Sequence, residues 1–271
     1  MSPRRPALQR DARRSSFDAV AELYARARLP YPDAAFDAIA EVIPPPARVL
    51  EIGPGPGVAT LPLAQRGYQV LGVELGANMA RVARRRLSAH RAVRIITGDF
   101  DTWRPEVPGS FDLVLAASSW HWLDPAVSYR SAHDALRPGG WLALMANHPR
   151  PGRPGSAARR FWDAADGVYH SHAPELIAER HWSPRHQPYT GGDIRRSGLF
   201  VRVHRLTWRW RHDFTTDAYL ALLDTYSDHR ALAARRRTAL MRAFRSLIDA
   251  ESEGVAPREY WTHLHLAQRS G

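Results

Sequence analysis

The chain has 271 residues, 44% of them hydrophobic and 24% charged, with 18 Gly, 21 Pro and no Cys. That composition excludes a disordered or collagen-like chain, a disulfide framework, a thiolate nucleophile and a cysteine-based metal site. The 38 basic and 27 acidic residues leave a formal charge of +11, yet every basic residue is arginine. A nucleic-acid binder has no physical reason to avoid lysine, so compositional bias explains the charge better than a polyanion surface, and nucleic acid is not an expected partner.

Residues 1–16 are basic and Pro-containing and predict a flexible tail. No apolar segment follows them, and no run approaches the ~18 residues of a membrane span. A cytoplasmic protein without a membrane partner is therefore expected. Phe17 to Ala27 has helical periodicity, and a second helix is predicted from about Asp33 to Ile43, stopped by Pro44-Pro45-Pro46. Strands and helices then alternate: strands at Arg48 to Ile52, Tyr68 to Glu74, Val93 to Thr97 and Phe111 to Ala117, and helices at Val58 to Arg66, Ala77 to Ala89 and Asp124 to Leu136. This rhythm predicts βαβ units and a parallel sheet. Arg137-Pro138-Gly139-Gly140 reads as a turn before a strand at Trp141 to Ala146. Residues 148–190 read as an irregular insertion with a short helix at Ala157 to Val168. Then come a short helix at Asp193 to Leu199 and a strand from Phe200 to His212. Helical sequence from Thr216 to Asp249 is divided around His229-Arg230, and a strand from Tyr260 to Ala267 closes the series.

Glu51-Ile52-Gly53-Pro54-Gly55-Pro56-Gly57 is the most informative stretch. A strand enters three glycines at alternate positions and a helix follows, which permits tight turning and close backbone approach to a ligand. Alone this is weak evidence, because ordinary strand-to-helix turns look alike. Glu74 closes the next strand, where a carboxylate can accept both hydroxyls of a ribose. Glu51 before the loop would repel a pyrophosphate and suits a ligand with positive groups. Asp99 and Phe100 follow the third strand, an acceptor and a ring placed to read an adenine. The Gly-x-Gly-x-Gly spacing differs from the dinucleotide fingerprint.

With EIGPGPG at 51–57, the segments GVEL (72–75), GDF (98–100), FDLVLAASSWHWLD (111–124) and LRPGGWLAL (136–144) resemble the class I S-adenosylmethionine-dependent methyltransferases. The likeness is to their bacterial small-molecule group, which includes trans-aconitate methyltransferases. The resemblance implies an α/β fold: a Rossmann-like seven-stranded, mostly parallel sheet with the last strand antiparallel, and helical insertions forming a cap. It implies one domain over 17–271, with its core at 47–147 and insertions at about 148–190 and 213–250. The implied cofactor is S-adenosylmethionine. Gly53, Gly55 and Gly57 would line its methionine part and Glu51 would orient its amino end. Glu74 would hold the ribose, with Leu75 and Met79 against ribose and adenine. Asp99 and Phe100 would meet the base, and Ala116 would offer a backbone carbonyl. Tyr24, Arg28 and Tyr31 occupy positions that cover the cofactor in similar sequences, and Arg28 is placed to pair with its carboxylate; an ordinary surface helix and turn is the other reading.

Ser118-Ser119-Trp120-His121-Trp122 follows the fourth strand and faces the methyl group in this fold. The Asn-Pro-Pro-aromatic motif of similar amino-group methyltransferases is absent. Trp120 and Trp122 suggest an apolar pocket, and His121 is the candidate base, or else an aromatic-packed residue shaping the loop. Tyr226 and His229 are candidates for closing the acceptor site. Neither His170/His172 nor His263/His265 makes a metal site, since the alternate spacing of each pair fits one strand face and no third ligand is evident. Methylation of a small-molecule acceptor is the expected function. The alternatives are an RNA or protein methyltransferase and a catalytically silent cofactor-binding module.

Overall fold

A computed structural model of the chain describes residues 17–177 and 190–271. The expected basic tail lies outside them. Seven strands form one sheet in the order β3-β2-β1-β4-β5-β7-β6. They are β1 Arg48–Ile52, β2 Gln69–Glu74, β3 Val93–Thr97, β4 Phe111–Ala117, β5 Leu136–Arg150, β6 Phe200–Thr215 and β7 Val255–Arg269. β3, β2, β1, β4 and β5 pair in parallel. Thr207 contacts His263 and Trp210 stacks on Tyr260, so the partners step in opposite directions and β7 runs antiparallel to β6.

The helices are α1 Ala21–Ala27, α2 Asp33–Val42, α3 Thr60–Gln65, α4 Ala77–Arg86, α5 Ser128–Ala135, α6 Ala157–His172, α7 Gly191–Arg196, α8 Thr216–Leu223, α9 Ser227–Arg230 and α10 Ala234–Glu251. By compactness the described residues fall into two units. The sheet unit holds 29–147, 190–208 and 262–271; the helical unit holds 17–28, 148–177 and 209–261. Each of β5, β6 and β7 contains a boundary between them.

In the sheet unit the period-two alternation of the strands feeds two cores. Leu50 and Ile52 of β1, Val114 and Ala116 of β4, and Leu142 and Leu144 of β5 pack one face with Phe100 and Trp120. Val49, Leu113, Leu115 and Ala143 pack the other face with Phe36 and Ile39 of α2 and with Leu264. Burial on both faces explains why β4 is almost wholly apolar. Asp112 is its exception: it accepts from Arg48 N at 2.7 Å and pairs with Arg137 at 2.5 Å.

In the helical unit, α6 begins at Ser156, whose side chain accepts from Arg159 N. Phe161 and Tyr169 of α6, Tyr219 of α8 and Phe244 of α10 form an edge-on aromatic core, with ring centroids 5.0–5.8 Å apart.

Four expectations need correction. The Arg137-Pro138-Gly139-Gly140 turn lies inside β5, where the register slips between the Phe111↔Leu136 and Leu113↔Trp141 pairs, so the Pro-Gly-Gly stretch is absorbed as an irregularity of the ladder. Within the 148–190 segment the helix expected to end at Val168 runs on to His172, while residues 151–156 before it are neither helix nor strand; residues 178–189 lie outside the described part. His170 and His172 are therefore helical, where a two-residue spacing points side chains apart instead of onto one face. The 216–249 stretch breaks on either side of α9, so His229-Arg230 is helix and not a break.

Candidate active site

β1 leads directly into the glycine loop, where Gly53, Gly55 and Gly57 have φ of +63°, +57° and +86°. Residues with a Cβ rarely adopt this region. A Cβ on Gly53 would stand 2.8 Å from Ser119 Cβ, and one on Gly57 would stand 2.8 Å from Leu87 Cδ1. A Cβ on Gly55 would meet nothing within 4 Å. The outer glycines thus permit close packing inside the protein, while the middle one leaves an open face. Gly72 of β2 lies beneath the loop, where a Cβ would stand 2.9 Å from Pro54 Cγ and 2.6 Å from Ile95 Cδ1.

Two carboxylates flank this loop. Glu74 closes β2; its Oε2 accepts from Gly55 N at 2.8 Å and its Oε1 from Gly76 N at 2.9 Å. It thereby ties the glycine loop to the start of α4. Glu51 is 1% exposed, and the Thr60 hydroxyl donates to its Oε2 at 2.7 Å. Burial pushes the Glu51 carboxyl up to about 7; the Thr60 hydrogen bond opposes this and the Glu74 charge adds to it.

Beside Glu74, Leu75 is exposed, whereas Met79 is buried at the inner face of α4. Asp99 turns the chain after β3 by accepting from Asp101 N at 3.1 Å. Phe100 is a core residue, stacked on Trp103 at 6.3 Å, and Ala116 is fully buried in β4.

After β4 the chain turns through Ser118, whose φ of +57° is the strained backbone that such sites often carry. Tyr31 OH donates to Ser118 Oγ at 2.8 Å, and Ser119 Oγ donates to the Ile52 carbonyl at the end of β1. Ser119 thus joins the ends of β4 and β1 and Ser118 anchors Tyr31, links that the expected position of both serines facing the methyl group did not include; a strand end followed by two small hydroxyl residues was the available signal. Trp120–Trp122 form a 3₁₀ turn. Trp120 is buried against Tyr129 at 4.9 Å, so its ring belongs to the core. His121 is exposed, with its ring 4.7 Å from the half-buried Trp122.

Four expected site residues lie in the helical unit. Arg28 stands between the rings of Tyr24 and Tyr226, at 4.5 and 4.9 Å, and donates to the Thr225 carbonyl at 3.2 Å. His229 is buried, with Nδ1 2.8 Å from Asp228 Oδ1 and Nε2 2.7 Å from Tyr169 OH. Both of its ring nitrogens are engaged, so it ties α9 to α6 and has no lone pair left for an acceptor. Among the described residues no group of three or more His, Asp or Glu is arranged to hold a metal ion, and no helix is long and apolar enough to cross a membrane.

A glycine loop on open backbone, a carboxylate at the end of β2 and this strand order define the class to which the sheet unit is similar: residues 50–144 match the family model described as a methyltransferase domain. A methyltransferase of Mycobacterium tuberculosis without assigned activity is 36% identical over 133 residues, which is 49% of this chain and 52% of that protein. A ubiquinone biosynthesis O-methyltransferase of Pseudomonas aeruginosa is 34% identical over 106 residues, covering 38% of this chain and 46% of that one. The chain thus spans about half the length of the curated relatives it matches. Among solved structures, a protein of Anaeromyxobacter dehalogenans provisionally designated a type II methyltransferase superposes with a TM-score of 0.59 at 24% identity, over 89% of this chain and 97% of that one. The phosphoethanolamine N-methyltransferase 2 of Haemonchus contortus does so with a TM-score of 0.53 at 17% identity, over 94% and 57%. Over residues 50–144 the chain is thus similar to methyltransferase domains, and the solved structures share its fold.

Proposed function

We propose that the protein transfers the methyl group of S-adenosylmethionine to a small-molecule acceptor. The observation that carries this reading is Glu74, held at the end of β2 by the amides of Gly55 and Gly76, beside a loop whose middle glycine faces open space. The site fits the cofactor on three counts: an acceptor pair for a ribose diol in Glu74, an exposed apolar side chain beside it in Leu75, and a buried carboxyl in Glu51 that gains from a cationic ligand.

When bound, the cofactor supplies a methyl group already activated on a sulfonium, so the protein's work is alignment and exclusion of water. Glu74 would hold the ribose and Leu75 would cover its apolar side. Gly53, Gly55 and Gly57 would bring backbone close to the methionine part, and Glu51 would face the amino end. Asp99 would accept from the adenine. Phe100, Met79, Ala116 and Trp120 support these groups from the core. His121, exposed on the turn after β4, would take the proton of a hydroxyl or amine acceptor, whereas a carboxylate acceptor needs no base. With a protic acceptor, His121→Asn should lower kcat by roughly 100-fold or more and leave cofactor affinity unchanged.

Calorimetric titration with S-adenosylmethionine, on wild type and on Glu74→Ala, tests the reading. Binding to the wild type and at least a ~10-fold loss in the variant are expected, as when a doubly used charged acceptor is removed. No binding to the folded wild type would overturn it.

A further inference from the structure

Pro30 and Tyr31 precede α2 as an arm that belongs to no helix or strand. Pro30 and Pro32 fix their own φ, and each holds the residue before it extended. Carbonyls in such an arm need partners from elsewhere, and a side chain supplies one: Asn147 Nδ2 donates to the Pro30 carbonyl at 3.0 Å. Asn147 lies on β5, and its Oδ1 accepts from the hydroxyl of Thr262 on β7 at 2.6 Å. An amide can donate at one end and accept at the other. Thr262, fully buried, donates to Oδ1 and so turns the amide nitrogen toward Pro30.

One residue further on, Tyr31 OH donates to Ser118 Oγ at 2.8 Å, while Ser118 N donates to the Met145 carbonyl of β5, also at 2.8 Å. Ser118 stands at φ +57°, a conformation that a residue with a Cβ keeps only where its surroundings hold it. The next residue, Ser119, donates to the Ile52 carbonyl, and its Cβ packs where a Cβ on Gly53 would be 2.8 Å away. These contacts form one line across β7, β5, β4 and β1, from Thr262 to the first glycine of the loop. Every residue in the line belongs to the sheet unit. The methyl-transfer reading gives Asn147 and Thr262 no work.

We propose that Asn147, oriented by Thr262, is a positioning residue of the cofactor site. It holds the Pro30-Tyr31 arm, the arm sets Tyr31 on Ser118, and the turn after β4 then holds the end of β1 where the glycine loop begins. Asn147 and Thr262 act through Tyr31 and Ser118, and their effect is to keep the loop in one shape. A ligand loses less free energy on binding a loop already fixed in its bound form. The proposal rests on the methyl-transfer reading, since the loop is where that reading puts the methionine part of S-adenosylmethionine.

The experiment is calorimetric titration of the full chain with S-adenosylmethionine, with thermal melting of each variant to show that it is folded. Thr262→Val keeps the shape of the side chain and removes its hydroxyl. It is expected to raise the cofactor Kd roughly 3- to 10-fold, the effect of one lost hydrogen bond, and Thr262→Ser is expected to restore wild-type binding. Thr207→Val is the control: it breaks a bond from β6 to His263 of β7 that lies outside the line, and it should leave Kd unchanged. Tyr31→Phe should raise Kd as well. The Tyr31→Phe/Thr262→Val pair should bind no more than about twofold more weakly than the weaker single variant, since both cut the same line. Asn147→Ala, at a half-buried position, carries the same test if Thr262→Val does not fold. Wild-type affinity in either single variant, an equal loss in Thr207→Val, or a double variant whose loss is the full product of the single losses overturns the proposal and leaves the methyl-transfer reading standing. No binding by the folded wild type overturns both.

Discussion

Glu51 concentrates the physics of the site in one side chain. Its carboxyl has an ordinary value of 4.5 and is raised to about 7 in the fold, first by burial. A carboxyl raised on folding favours the folded state fully below the lower value and loses that contribution as pH rises through the higher one. The unliganded protein should therefore lose up to ~3 kcal/mol of stability between pH ~4.5 and ~7, the equivalent of the pKa difference. Chemical denaturation at pH 5 and pH 8 should show this loss, and Glu51→Gln should abolish it. The same substitution should weaken S-adenosylmethionine binding at pH 8, because the cationic ligand is then met by a neutral amide. Wild-type affinity should rise with pH up to about 7, as ionised Glu51 becomes available. A Glu51→Gln protein that binds as tightly as the wild type at pH 8 would remove Glu51 from the cofactor site.

Between elements, the loop and its floor are fitted to one another. Gly72 of β2 has no room for a methyl group, with Pro54 and Ile95 already within contact distance of its missing Cβ. Gly72→Ala should cost ~1–3 kcal/mol as an overpacked position, read from the shift of the urea midpoint. It should also raise the cofactor Kd, because Pro54 of the glycine loop must shift together with the end of Ile95. In the helical unit, His229 links Asp228 beside it to Tyr169 on α6. His229→Phe would fill the space and strand both partners, with an expected loss of about 2–4 kcal/mol in thermal or urea unfolding. A loss below ~0.5 kcal/mol would show that the bridge carries no stability.

On the scale of the whole chain, the formal charge of +11 comes entirely from arginine. Such a chain should cling to polyanions without reading them. Retention of duplex DNA in a gel-shift assay is expected at ~20 mM salt and should be lost by ~200 mM. It should be the same for any sequence and unaffected by S-adenosylmethionine. Sequence preference persisting at physiological salt would point instead to a nucleic-acid acceptor. The two compact units are interleaved along the chain, with boundaries inside β5, β6 and β7. Reading in chain order shows only an α/β core followed by a broken rhythm.

The amino-acid sequence by itself determined the strands β1, β3 and β4 to the residue, the alternation that makes a parallel sheet, and the placing of Glu51, Glu74 and the three glycines. Each rests on local physics: period-two apolar runs, and backbone that glycine alone enters without strain. The tertiary structure decided what depends on residues distant in sequence. It gave Trp120 and Phe100 to the core, engaged both nitrogens of His229, and joined Ser119 to the end of β1 across 67 positions. It also carried β5 across Pro138 and Gly139 as an unpaired irregularity between two registers of the ladder, and buried Arg258 of β7 against Trp162 of α6 and the Tyr219 hydroxyl of α8. Burial and partnership are properties of the packed molecule, and no window of sequence contains both sides of such a contact.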